Sequence, residues 1–154
     1  MRDFKETHAQ IPIAKYEYRP ISFGKRLFDI VTSFLFLVIL SPVFIFIAIW
    51  VLLDPRGGVF YGQVRAGRNN TDFRMYKFRT MRPGSDAKGL LTVGDRDPRV
   101  THAGHILRKI KMDELPQLIN ILNGDMSVVG PRPEVRKYVD LYTAEQMKVL
   151  DIRP

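Results

Sequence analysis

Two neighbouring carboxylates, Asp113 and Glu114, stand directly behind a cluster of cations, Arg108, Lys109 and Lys111, in the stretch "RKIKMDELPQLINILNGDMSVVGPRP". An aspartate is anionic at neutral pH, so it needs no general base to act as a nucleophile, and aspartyl phosphates are a known device in phosphoryl transfer. The cations keep both acids ionised and draw anionic substrates towards them. Adjacent helical residues point about 100° apart, so the two acids suit different tasks, one attacking and the other holding a metal. Mg²⁺ is the natural ion, a hard cation held by one or two carboxylates together with substrate phosphates. A purely structural reading competes: an N-cap aspartate and a first-turn glutamate complement the helix dipole. His102 and His105 share a helical face but lack a further ligand nearby, so they read as ordinary surface residues. The glycines Gly57, Gly58, Gly62 and Gly67 match neither a P-loop nor a dinucleotide fingerprint.

The elements that must hold these residues begin with the apolar run Ile30–Leu53, which carries no charge and is long enough for a bilayer core of roughly 20 residues. Four acidic residues precede it, and its length exceeds that of a signal-peptide core, so it reads as a membrane segment and not a cleaved leader. Ser41 and Pro42 fall at its centre, where proline deletes a backbone hydrogen bond and bends the helix; Ser41 can bond back to the freed carbonyl. Cations flank both ends, Lys25 and Arg26 before it and Arg56, Arg65 and Arg68 after it. Equal claims on the cytoplasm suit a re-entrant hairpin, with a kinked spanning helix as the alternative.

Residues 1–22 read as an N-terminal arm. Two alternating runs, 59–65 and 73–79, flank Gly67, Asn69 and Asn70 and predict a β-hairpin. The second run alternates with a break, Phe73 and Met75, then Tyr76 and Phe78. Residues 83–99 predict a mobile loop. Thr101 is expected to cap a helix through Lys109. Asp113 is expected to cap the next helix, with Glu114 and Pro116 in its first turn, Leu115, Leu118, Ile119 and Leu122 on one face, and Asn123-Gly124 as its stop. Final helices are expected within 134–150. The predicted class is α+β, mostly helical.

Charge is uneven, with 24 basic against 16 acidic residues overall and thirteen against five in 54–112. That surface attracts phosphates of any origin. No cysteine is present, which excludes disulfides and thiolate catalysis.

Three stretches together, "KRLFDIV…SPVF" (25–44), "YKFRTM" (76–81) and "RKIKMDELPQLINILNGDMSVVGPRPE" (108–134), resemble the bacterial sugar transferase family, the monotopic polyprenyl-phosphate phosphoglycosyl transferases. The resemblance runs from about Lys25 to the end and implies a re-entrant membrane helix over 23–53 and a catalytic domain on the cytosolic face over 54–154. It implies transfer of a phosphosugar from a UDP-sugar to undecaprenyl phosphate with release of UMP, in the first membrane step of bacterial glycan assembly. It implies Asp113 as the nucleophile of a covalent intermediate in a ping-pong course and Glu114 as its partner on Mg²⁺. Lys77, Arg79, Arg108 and Arg132 match basic positions that hold phosphates; solvated or headgroup-facing roles are the alternative for each. Ser41-Pro42 matches the pair that turns the membrane helix back, which places the chain in the cytoplasmic leaflet of the inner membrane, among lipid and with a homodimer possible. Family members continue past "IRP", so either a C-terminal element is missing here or a shorter version suffices. The rival readings are a truncated, non-catalytic membrane homologue and a tethered nucleic-acid binder, and the basic segment matches no groove-reading motif, so no nucleic-acid partner is expected.

Overall fold

The computed structural model describes residues 22–53, 57–85 and 97–154. Most of the arm expected over 1–22, and residues 86–96 of the loop expected over 83–99, lie outside the described residues.

The apolar run folds as two helices, α1 (Phe23–Ile39) and α2 (Ser41–Leu53), bent by 62° at the break between them. Pro42 has no N–H to give the carbonyl of Val38, four residues back. The Ser41 hydroxyl donates to that carbonyl instead, at 2.8 Å. The Val38 carbonyl thus keeps a partner across the bend. Neither helix alone is long and apolar enough to cross a membrane; only taken together do the two reach that length and composition.

α1 is inverted relative to a helix of a water-soluble domain. Its buried residues are Asp29 and Ser33, while Phe28, Val31, Phe34, Leu35 and Val38 are exposed. Asp29 Oδ1 accepts from Ser127 Oγ at 3.0 Å and from the Val128 amide at 3.1 Å. Arg26 donates to the carbonyls of Ile121 and Leu122. Polar groups therefore fasten α1 to the rest of the chain and its apolar face is turned outward.

β1 (Phe60–Ala66) and β2 (Asp72–Phe78) form the expected hairpin, an antiparallel pair with Tyr61 opposite Lys77 and Arg65 opposite Phe73. Asn69 and Asn70 both take positive φ in the loop, the left-handed conformation that asparagine tolerates. β2 runs without interruption through Met75 and Tyr76, where the apolar alternation of the sequence changes phase. The phase change reflects burial on both faces. Phe78 packs with Ile47, Val51 and Leu107 on one side, and Met75 with Ile121 and Met126 on the other.

α3 (His102–Lys109) begins where expected, with the Thr101 hydroxyl accepting from the Gly104 amide at 3.0 Å. α4 (Gln117–Asn123) ends as expected on Gly124, at φ 95°. Its start differs. Asp113 does not cap it; Met112–Glu114 form a separate 3-10 turn, entered through Lys111 in the left-handed region. Pro116 lacks the N–H that would continue an α-helical ladder, and the segment closes with tighter bonds, Leu115 N to Met112 O and Leu118 N to Leu115 O. Beyond it lie α5 (Arg136–Val139) and a final 3-10 helix, Gln146–Asp151. Ala66, Val139 and Leu150 form the core beneath them. The class is α+β, with about half of the described residues helical, less than the mostly helical chain expected.

Candidate active site

Because cross-strand partners share a face, Tyr61, Gln63 and Arg65 of β1 stand beside Phe73, Met75 and Lys77 of β2. α4 covers Phe73 and Met75. The other end of the face, around Lys77, stays open and becomes the wall of a cavity of about 340 Å³. The chain after β2 closes a second side through Arg79 and Arg82, and α3 adds Arg108. The Arg108 guanidinium is steered by its Nε, which donates to Thr80 Oγ1 at 3.0 Å. Five cations thus line a cavity that holds one carboxylate, Asp113.

Asp113 is 7% exposed. Burial pushes its carboxyl above the ordinary value; Lys77 and Arg108 pull it down, and the neighbouring Glu114 pushes with burial. Glu114 behaves oppositely. Burial acts to raise it, but the Lys77 hydrogen bond at 2.8 Å and the charges of Lys77, Arg132 and Lys111 outweigh that effect and hold it below the ordinary value. Adjacent acids of different tendency are the pattern expected when two carboxylates take different roles.

The four expected phosphate-binding cations do not all stand together. Lys77, Arg79 and Arg108 line the cavity with Asp113, whereas Arg132 lines a second cavity of about 330 Å³ that opens beside Glu114. Arg132 remains within 4.0 Å of Glu114 and is largely exposed. It is brought there by the run of 132–134 along β1, where Ala66 N donates to Glu134 O and Arg65 to Pro133 O. The Arg79 Nε is buried without a hydrogen-bond partner. Arg65 was readable from the sequence only as a cation flanking the membrane segment. Its alternation with Tyr61 and Gln63 marks the shared face, but the register against Lys77 is needed to place that face at the acids.

Among the described residues no group of three or more His, Cys, Asp or Glu side chains can hold a metal. A hard divalent ion can also be held by one carboxylate completed by substrate phosphates and water, and Glu114 is the carboxylate that would serve. His102 and His105 lie exposed on α3.

The model of the family described as bacterial sugar transferase matches residues 21–154. The chain is 43% identical over 124 residues to a UDP-N-acetylgalactosamine-undecaprenyl-phosphate N-acetylgalactosaminephosphotransferase of Aeromonas hydrophila, covering 80% of this chain and 29% of that protein. It is 42% identical over 130 residues to the uncharacterized sugar transferase EpsL of Bacillus subtilis (strain 168), covering 84% and 63% respectively. With the UDP-glucose:undecaprenyl-phosphate glucose-1-phosphate transferase of Escherichia coli (strain K12) it shares 38% identity over 136 residues, 86% of this chain and 29% of that protein. The chain therefore spans under a third of two of these relatives and under two thirds of the other. With the family match covering nearly all of its length, the chain belongs to the bacterial sugar transferase family.

Proposed function

We propose that this chain is a phosphoglycosyl transferase that moves a phosphosugar from a UDP-sugar to polyprenyl phosphate at the cytoplasmic face of the inner membrane. The observation that carries the reading is Asp113, buried at the wall of a cavity whose other charged residues are all cations. The names of the relatives, which specify undecaprenyl-phosphate sugar phosphotransferases, support the substrate classes.

The reaction runs in two steps. An Asp113 carboxylate oxygen bonds to the sugar-bearing phosphorus of the UDP-sugar as the bond to the bridging oxygen breaks, and UMP leaves with that electron pair. A phosphate oxygen of polyprenyl phosphate then attacks the same phosphorus, and Asp113 departs as a carboxylate, leaving polyprenyl-diphosphate-sugar. Lys77, Arg79 and Arg108 neutralise the diphosphate, Arg65 and Arg82 extend the same positive wall, and Arg132 meets phosphate from the Glu114 side. Charge of this kind, fixed in advance around the reacting phosphorus, is the main lever in phosphoryl transfer. Lys77 also holds Glu114 ionised. Mg²⁺ would be held by Glu114 together with substrate oxygens, and would supply neutralisation of the charge that develops on the departing phosphate.

The exposed apolar faces of α1 and α2, with Asp29 and Ser33 turned inward, support immersion of the bent pair in lipid. As a re-entrant hairpin, the pair would keep the cavity at headgroup depth, where a lipid phosphate and a soluble nucleotide sugar can meet.

Rapid mixing of the purified 154-residue chain with a panel of UDP-sugars and Mg²⁺ tests the reaction. Without lipid acceptor, one UMP per active chain is expected in a burst; with polyprenyl phosphate, continuous turnover. Asp113→Asn is expected to abolish both. Turnover retained in that variant would exclude the covalent course.

A further inference from the structure

We infer that Asn120 is a positioning residue for the reaction proposed above, the amide that fixes the strand bearing Lys77 against the segment bearing Asp113 and Glu114. Asn120 is fully buried, at 0% exposure. Its Oδ1 accepts from the Tyr76 amide at 2.9 Å, and its Nδ2 donates to the Arg74 carbonyl at 2.8 Å. A carbonyl and the amide two residues later point to the same edge of a strand, so this side chain imitates the peptide group of a missing neighbour strand. The edge in question is the one β1 leaves free.

The amide is held from behind as well. Nδ2 donates also to Asp125 Oδ2 at 3.1 Å, which leaves only one way round for the amide. The Asn120 carbonyl accepts from the amides of Gly124, Asp125 and Met126, the groups that close α4. Asn120 is thus anchored both to the helix end and to the strand.

Its place in the chain gives that anchor a consequence. Tyr76 precedes Lys77, and Glu114 lies six residues before Asn120, across the Pro116 break. The Lys77–Glu114 bond of 2.8 Å bridges the same two segments. Slippage of β2 by one residue would turn Lys77 towards α2 and bring an apolar ring to the acids. Packing of Met75 on Ile121 and Met126 is non-directional and tolerates small slides; two hydrogen bonds to one strand edge do not.

The pre-steady-state UMP burst separates positioning from folding, because its amplitude counts competent chains and its rate reports the chemistry. Asn120→Asp keeps the shape and the acceptor for Tyr76 while placing a carboxylate oxygen against the Arg74 carbonyl and Asp125. The expected result is a nearly full amplitude and a burst rate lower by about ten-fold, the effect of one misplaced buried hydrogen-bonding group. Adding Asp125→Asn, whose amide can donate to the new carboxylate, is expected to restore the rate at least in part. An unchanged rate with reduced amplitude overturns the proposal, since Asn120 would then serve folding alone. A double variant no faster than the single one overturns it as well. Should Asn120→Asp not fold, Asp125→Ala removes only the third bond of the amide, and a burst rate about three-fold lower is expected; an unchanged rate overturns the proposal. A wild-type chain that gives no burst with any sugar overturns the reaction itself, whereas a normal wild-type burst beside unaffected variants removes only the role of Asn120.

Discussion

Asp113 is buried at the cavity wall, and its carboxylate is stabilised there mainly by cations. Its folded pKa lies above the ordinary value, so as pH falls the native state takes up a proton before the unfolded chain does. The charged form therefore costs stability, a cost relieved as pH drops through the folded pKa. Reactivity follows the opposite course, because a protonated carboxyl cannot attack phosphorus. The acid limb of the UMP burst rate is expected above the ordinary carboxylate range. Lys77 is the largest of the influences that lower it. Lys77→Ala is accordingly expected to move the acid limb to higher pH, and to slow the burst at neutral pH by roughly 10- to 100-fold through loss of a charge-assisted bond. Burst rates of the two proteins across a pH series decide this, and coincident acid limbs would show that the Lys77 charge does not govern Asp113.

At the scale of elements, local signals carried much of what was legible. The Thr101 cap, the glycine stop at Gly124 and the asparagine-rich hairpin loop each depend on neighbours within a few residues, so their chemistry is written in short stretches. The start of α4 was not legible, because the left-handed Lys111 and the donor deficit at Pro116 divide one apolar pattern into a 3-10 turn and a helix. Arg65 depends on strand register, and the inward turn of Asp29 on a partner 98 residues away. Contacts of that range leave no local trace. Gly104 is an element-scale device of this kind: a Cβ there would stand 2.2 Å from the Thr80 carbonyl, which the Thr101 amide bonds at 3.0 Å. α3 can lie this close to the chain after β2 only without a side chain at that point, and the close approach lets Arg108 reach Thr80 Oγ1. Gly104→Ala is expected to push α3 outward, at a cost of about 1–3 kcal/mol in stability. UMP release should fall even well below the melting temperature, as Arg108 withdraws from the cavity. Thermal unfolding together with turnover tests both halves, and a fully active, destabilised variant would detach Arg108 from the chemistry.

For the whole molecule, the decisive quantity is the 62° bend between α1 and α2. Residues 23–53 as one straight helix would be about 46 Å long, more than the roughly 30 Å core of a bilayer. Two features maintain the bend, the absent N–H of Pro42 and the Ser41 hydroxyl that replaces it on the Val38 carbonyl. Ser41→Ala with Pro42→Ala removes the hydroxyl and returns the N–H, so the ordinary ladder can close through the break. The apolar residues on both helices already face outward and would favour spanning once the helix is straight. The chain contains no cysteine, so single cysteines at the exposed Ser22 and Gly58 report the two flanks cleanly. With a membrane-impermeant maleimide, both sites of the bent protein are expected to react in inverted membrane vesicles and neither in intact cells. In the straightened variant one flank should become reactive from the opposite side, with loss of UMP turnover if the cavity is lifted from the headgroups. Labelling of the two flanks from opposite sides in the unaltered protein would mean that the bent pair spans, and the meeting place proposed for lipid phosphate and nucleotide sugar would have to be moved.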